Sequence, residues 1–411
     1  MGANEATNRV GTEATLQECR DLLGVLVKKE VSTFDDFRTI KQIVQAGNAP
    51  QVFSIGDQIP LKWNDGMKEY DLPFDVVHFG TVKRKRDGQV VPGMFLQSHW
   101  VTPGIQFDGN EAFWYCTEAL SAGTYNIKMG NNWGTYVVAN KTYQFTLPSG
   151  VPVGGQLVFG LANSTTGALP DKDPSEWRVL VYDAQTDLDP RERLEVTEGS
   201  AGTSLGTLSS STKYADTGVN NMQRAAYGYN RWSQSGVRQY LNSDGAAETW
   251  WTPQNPFDRP CDQLKTMRGF MAGFDSAFLD ILEPIEVVTA LNTVSDSQIG
   301  TTESTWDTFF LPGIQQEYIV PQLADVEGEA WEYWKQRLGT ATPQASGAQN
   351  ALEEHIRYAV ENHTSAQIVR LRSAARSSAH GTWLVNSSGN ANTISYSATY
   401  AYRLAPACVI C

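Results

Sequence analysis

Polar and apolar positions change their rhythm twice along the chain. In the first fifty residues the apolar positions fall at helical spacing. Leu16, Cys19, Leu23 and Leu26 form one stripe, and Phe37, Ile40 and Val44 form another that stops near Gly47. Ser32 and Asp35 precede the second stripe in a capping arrangement. From Gln51 the spacing becomes that of strands. VFSIGDQIPLKW and DVVHFGTV lead into Lys83-Arg84-Lys85-Arg86-Asp87-Gly88, read here as a hairpin turn, and VVPGMFLQSHW follows. Between about Pro103 and Leu208 many short apolar runs, among them GTYNIKMG, GQLVFGLA and WRVLVYDA, are separated by Gly, Pro and Asn, the signature of an all-β sandwich. Gly199 to Thr212 reads as its exit linker.

After residue 208 the texture is mixed. NRWSQSGVRQYLNS reads as a short helix capped by Ser233, and FDSAFLDILEP as another with Asp275 at its start and Pro284 after its end. GEAWEYWKQRL and QNALEEHIRYAV are further helical stretches, and WLVNSSG and YRLAPACVI close the chain as strands.

Composition narrows the function. With 411 residues and a net charge of −13, the chain is long enough for several domains and is unsuited to binding nucleic acid through bulk electrostatics. No apolar stretch reaches the length of a membrane span, so no membrane insertion is expected. The five cysteines are scattered and form no disulfide framework. Several motifs fail on their context. Gly202-Thr203-Ser204-Leu205-Gly206 spells G-x-S-x-G but lacks the strand before and helix after that a nucleophile elbow needs. Cys408 and Cys411 spell C-x-x-C inside an apolar strand, with a core-facing Cys408 and a dangling Cys411. Trp63-Asn64-Asp65 reads as a turn. Asp171, Asp173, Asp183, Asp187 and Asp189 read as solvated loop carboxylates, without a calcium-loop pattern. No enzyme, cofactor or metal is therefore expected.

The tract Asn386 to Tyr402 holds only Asn, Ser, Gly, Ala, Thr, Ile and Tyr, with no charge and no Pro. Tyr supplies contact area at low entropic cost and Ser, Asn and Gly supply adaptable hydrogen bonds, as in antibody loops. The tract, with Ser377, Ser378 and His380 nearby, is thus the expected ligand-binding surface: Asn386, Ser388, Asn390, Asn392, Thr393, Ser395, Tyr396, Ser397, Thr399, Tyr400 and Tyr402.

The order of Trp232-Ser-x-Ser-x-x-Arg238-x-x-Leu241-Asn242, Trp250-Trp251-x-Pro253, Phe274-x-x-x-Phe278-Leu279, Trp383-Leu384-Val385 and Arg403 to Ile410 resembles a bacterial and phage domain family with a C-type-lectin-like fold. Three places depart from its pattern. Tyr240 stands where Trp is usual, Val385-Asn386 where Arg-Ser is common, and Arg403-Leu404-Ala405-Pro406 in place of Val-Arg-Pro. The tail is also similar to the variable region of proteins diversified by retroelements. By that resemblance Trp383, Val385, Gly389 and Ala405 to Ile410 would be the fixed positions.

The resemblance implies an α+β chain. Together with the patterning it gives an N-terminal helical arm (1–50), which either packs onto the body of the protein or serves docking or oligomerisation, a C-type-lectin-like domain in two parts (51–102 and 209–411, with the binding tail at 370–411) and an inserted β-sandwich-like domain (103–208). It implies a phage virion protein, made in the host cytoplasm, that binds a host cell-surface protein or glycan and other virion subunits. It would form a homo-oligomer, a trimer suiting a phage appendage. The alternatives are a virion decoration or connector protein, and a bacterial cell-surface location. Formylglycine-generating enzymes share that wider fold and use a cysteine pair, for which Cys261 and Cys408 stand by elimination.

Overall fold

A computed structural model describes residues 36–162, 169, 172–213, 218–324, 326–338, 353–392 and 397–411. The Leu16 to Leu26 stripe lies outside them. The second stripe is the helix Phe37–Gln45, and its cap is Asp36, which accepts from the Thr39 amide at 3.2 Å. Ile40 and Val44 are fully buried, and Gln45 donates to the main-chain oxygen of Cys411 at 3.3 Å. This helix therefore packs on the body of the protein.

Strand outweighs helix, about 36% against 15%. Two five-stranded sheets form the body. One runs Gln58–Ile59, Phe74–Lys83, Val90–Ser98, Ala407–Ile410, Phe309–Phe310, antiparallel throughout. The other runs Ala391–Asn392, Thr382–Val385, Val369–Ala374, Ala401–Leu404, Thr102–Gln106, with one parallel pair between 369–370 and 403–404. Pro406 separates the last two strands of the chain. It has no N–H to give a ladder, and the chain changes sheets there: Ala401–Leu404 lies in the second sheet and Ala407–Ile410 in the first. The Pro406 oxygen accepts from the Ser98 amide at 2.8 Å.

These sheets overturn the C-type-lectin-like α+β expectation. YRLAPACVI, read as one closing strand, is two: Ala401–Leu404 shares a sheet with Thr382–Val385, and Ala407–Ile410 belongs to the other sheet. The helical stretches shrink to short pieces. Gly236–Leu241 is capped by Ser235 rather than Ser233, and Ser276–Leu279 is capped by Asp275. QNALEEHIRYAV lies partly outside the described residues, and its described part is a single turn, Glu353–His355, before strand Arg357–Tyr358.

The W-S-x-S-x-x-R-x-x-L-N motif has a plain physical reason. Trp232 Nε1 and Arg238 Nε both donate to the buried Asp307 carboxylate, at 2.9 and 2.6 Å. Ser233 Oγ donates to Glu303 at 2.7 Å, and the Asn242 side chain both accepts from the Thr308 and Phe309 amides and donates to the Phe309 oxygen. The motif pins residues 303–310, and Phe309 then stacks on Phe274 within an aromatic core that includes Phe74, Phe270 and Phe278.

Residues 114–208 supply two four-stranded sheets facing one core. Their orders are Glu192–Glu195, Trp177–Tyr182, Gln156–Leu161, Trp114–Tyr115 and Thr197–Glu198, Thr142–Leu147, Gly123–Met129, Thr203–Leu208. The core also takes in Met222, Ala225 and Ala226 from the helix Met222–Tyr227. The stretch read as an exit linker is thus partly a strand: Thr203–Leu208 pairs in parallel with Gly123–Met129. That accounts for the G-x-S-x-G spelling. Gly202 sits at φ +79°, and a β-carbon there would lie 1.9 Å from the Thr124 oxygen. Ser204 is exposed. Gly202→Ala should therefore destabilise by about 3 kcal/mol and Ser204→Ala by no more than about 0.5 kcal/mol, measured as shifts of the urea midpoint.

Candidate functional site

The strand Val369–Ala374 and the strand Thr382–Val385 pair antiparallel, so the turn between them, residues 375–381, lies at one end and the turn 386–390 at the other. This geometry splits the expected binding surface in two. Asn386, Ser388 and Asn390 are at the far end and satisfy one another. Asn386 Oδ1 accepts from the Ser388 amide at 3.0 Å, the Ser388 hydroxyl at 2.9 Å and the Asn390 amide at 3.0 Å, around Gly389 at φ +83°. Asn392 lies on the short strand that follows, and Thr393, Ser395 and Tyr396 fall outside the described residues.

Ser377, Ser378, His380, Ser397, Thr399 and Tyr400 belong to the near end, whereas Tyr402 lies on the strand Ala401–Leu404, opposite Ile105. Gly381 bridges Ser397, and the Ala398 amide donates to the His380 oxygen at 3.0 Å. The loop after Ser397 is therefore laid against the 375–381 turn. Ser397 itself is buried at 3% exposure, which removes it from any contact surface, whereas Tyr400 is half exposed at 50%.

The near end continues across the molecule onto a loop that sequence reading did not connect with it. Trp133, between the strands Gly123–Met129 and Thr142–Leu147, donates from Nε1 to the Tyr227 hydroxyl at 3.2 Å. The His380 ring lies 4.9 Å from the Tyr227 ring and 6.1 Å from Trp133, centroid to centroid. The Tyr227 oxygen accepts from the Thr399 amide at 3.1 Å. On the Trp133 loop, Tyr136 and Val138 stand 44% and 45% exposed. Trp133, Tyr136 and Tyr227 could not be found from sequence, because nothing local to them marks a meeting with residues 380 and 399.

Buried polar groups hold this face from behind. Arg370, on the strand Val369–Ala374, donates to the main-chain oxygens of Ser397 (3.1 Å) and Tyr400 (2.8 Å) and to the Thr382 hydroxyl, and its guanidinium lies 4.7 Å from the Tyr402 ring. Burial pulls its pKa down to about 9, which still leaves it charged at neutral pH. Asn230 Nδ2 donates to the main-chain oxygens of Ser378 (2.8 Å) and Gly381 (2.7 Å). Its Oδ1 accepts from Asn292, which in turn donates to Asp296, and Asp296 also accepts the Tyr229 hydroxyl proton. Such satisfied networks rigidify what they support.

Ser378 and His380 resemble a catalytic dyad only by distance. Ser378 Oγ lies 3.0 Å from His380 Nδ1, but it also accepts from the His380 and Gly381 amides at 3.2 and 3.0 Å. Its lone pairs serve the turn, not a nucleophilic attack. The cysteines considered as a pair are equally inert: burial pushes the thiols of Cys261 and Cys408 up, and both are fully buried. Cys411, expected to dangle, is buried too. Asp183, Asp187 and Asp189 serve local contacts, Asp187 accepting from the Asp183 and Ala184 amides, Asp183 from Arg191 and Asp189 from Lys265. Trp63-Asn64-Asp65 is a turn, as its residues suggest, with Asn64 accepting from Gly66 and Asp65 from Met67 and Lys68.

His380 gives the face a pH signature. Burial lowers its pKa to about 4, against about 6.5 in an unfolded chain. Between those values the unfolded chain binds a proton that the folded chain refuses. The contribution of neutral His380 is complete above pH 6.5 and is lost as the pH falls towards 4, at most about 3 kcal/mol. His380→Asn should flatten the fall in stability between pH 6.5 and 4, measured by urea unfolding at several pH values.

Residues 208–411 match a family described as a domain of unknown function, DUF6273. The match begins at the last residue of the strand Thr203–Leu208, so it takes in Tyr227, His380 and Tyr400 and leaves out Trp133. No curated protein and no solved structure matches the chain.

Proposed function

We propose that this chain is a non-enzymatic binding protein and that its binding surface is the near-end face: Ser377, Ser378, His380, Thr399 and Tyr400, joined by Tyr227, Trp133 and Tyr136. The observation that carries the reading is the Trp133–Tyr227–His380 contact, which joins a loop of the two-sheet unit to the last strands of the body. Aromatic rings with hydroxyl neighbours suit a flat partner, and a neutral imidazole and uncharged side chains avoid the desolvation cost of ionic groups. The partner that fits is a glycan or protein at a cell surface. Multivalent display would raise the avidity of a modest single site.

Support for the reading also comes from preorganisation. Arg370 and Asn230 hold the two loops through main-chain oxygens, so side chains on the loops can differ while the loop paths stay the same. Binding then loses little entropy in ordering the face. Asn386, Ser388 and Asn390 lie at the opposite end and serve as an internal control.

The double variant Tyr136→Ala/Tyr400→Ala should unfold within about 0.5 kcal/mol of the parent and lose at least about tenfold in affinity, as buried tyrosines at interface centres do. Glycan arrays and intact bacterial and animal cells supply the partners. Loss of binding in Ser388→Ala, with the double variant unchanged, would move the site to the other end of the strands and defeat the proposal.

A further inference from the structure

Asp108, Glu111 and Asp258 are buried at 1%, 0% and 0% exposure, and one carboxylate oxygen from each lies within 4.8 Å of the others. Asp108 and Glu111 sit on the segment that follows the strand Thr102–Gln106, and Asp258 arrives from a loop far along the chain. Two fully buried carboxylates without a counter-charge are costly, so the partners of each oxygen decide what the cluster is for.

Glu111 is matched. Its oxygens accept from Arg224 Nε (2.6 Å) and Nη2 (2.8 Å), from Asn220 (2.8 Å) and from Asn255 (3.0 Å). Asp108 and Asp258 are not. Asp108 accepts one main-chain amide on each oxygen, from Gly236 at 3.1 Å and Tyr229 at 3.3 Å. Asp258 accepts the Gln254 amide on Oδ2 at 2.8 Å, and its Oδ1, fully buried, has no hydrogen-bond partner among the described residues. The nearby Arg259 guanidinium is used elsewhere: it stacks 3.6 Å from the Tyr182 ring centroid and donates to Gln156 Oε1 and to the oxygens of Ala184, Gln185 and Asp187. With Glu111 paired to Arg224, ionised Asp108 and Asp258 would leave two negative charges unmet among the described residues, and burial together with the neighbouring carboxylates pushes both carboxyl pKa values up.

We propose that Asp108 and Asp258, with Glu111 beside them, hold a calcium ion. A divalent cation cancels the two residual charges and gives the orphaned Asp258 oxygen a partner. The donors are hard oxygens. Two oxygens on one calcium, each at 2.3–2.6 Å, are at most about 5 Å apart, which the cluster satisfies. Magnesium keeps several waters in its shell, and carboxylates this deeply buried suit it poorly.

The ion would lie directly behind the candidate binding face, though the inference does not depend on what that face binds. The Asp108 amide donates to the Ala398 oxygen at 3.2 Å, and the Tyr229 amide that Asp108 accepts follows the helix Met222–Tyr227. Calcium would tie together the 108–111 segment, the end of that helix and the 254–258 loop.

The full chain, unfolded with EDTA and refolded either in EDTA or in calcium at 100 times its Kd, tests the assignment. Calcium should multiply the folded-to-unfolded ratio about 100-fold, seen as a higher melting temperature, and dialysed protein should retain about one calcium per chain by elemental analysis. Magnesium at the same concentration should do neither. Asp258→Asn removes one charge and keeps an acceptor for the Gln254 amide, its nitrogen taking the place of the unpartnered oxygen, so it should fold in EDTA, retain no calcium and melt at one temperature with or without it. A parent protein that retains no calcium and melts identically in EDTA and calcium would overturn the proposal, because protons would then balance the cluster. Calcium retained by Asp258→Asn would overturn the placement.

Discussion

A charge buried in protein must be met there, because the water that solvated it has gone. In this chain that constraint fixes which distant segments come together. Arg372 reaches the oxygens of Leu311 and Glu327 and the side chain of Gln316. Arg224 takes both oxygens of Glu111, Asp307 collects Trp232, Arg238 and Thr305, and Arg370 holds the oxygens of Ser397 and Tyr400. Thr305 apart, each of these ties joins residues that are remote in sequence. Apolar burial supplies the driving force of folding, and the buried guanidinium and carboxylate groups choose the register in which the small sheets meet. Removing one partner would strand the other, at a cost of about 3–5 kcal/mol.

This dependence explains what could be read from the sequence. The Phe37–Gln45 helix, the hairpin at Asp87-Gly88 and the Asp275 cap are written locally, in spacing and in turn chemistry, and the structure contains them. The resemblance to a C-type-lectin-like domain rested on landmark residues such as Trp232, Arg238 and Trp383. Those side chains are buried or partly buried and serve a mostly β architecture in which the closing strands part at Pro406. A list of landmarks carries no information about which strand pairs with which.

The candidate site divides in the same way. The polar tract near the chain end was legible as a surface, but its division between two ends of a strand pair was not, because a strand of four residues moves its flanking turns apart whatever their composition. Ser397 is spelled like its neighbours and is buried. Trp133, Tyr136 and Tyr227 join the face through tertiary contacts alone. Asp108 and Asp258 gave no motif either: the first looks like a loop acid and the second follows Pro256-Phe257, and only folding brings them within reach of one another.

The account holds that the face between residues 375–381 and 397–400 exists before any partner arrives. Amide hydrogen exchange on the unliganded chain tests this most directly, since protection reports the free energy of local opening. The amides of Ala398 and Thr399, bonded to the oxygens of His380 and Tyr227, should be protected as strongly as those of Cys408 and Val409 in the core strand. Exchange of Ala398 and Thr399 at the rate of an open loop, with the core strand protected, would mean that the face forms only on binding, and the account of a surface built from behind by buried polar groups would fail.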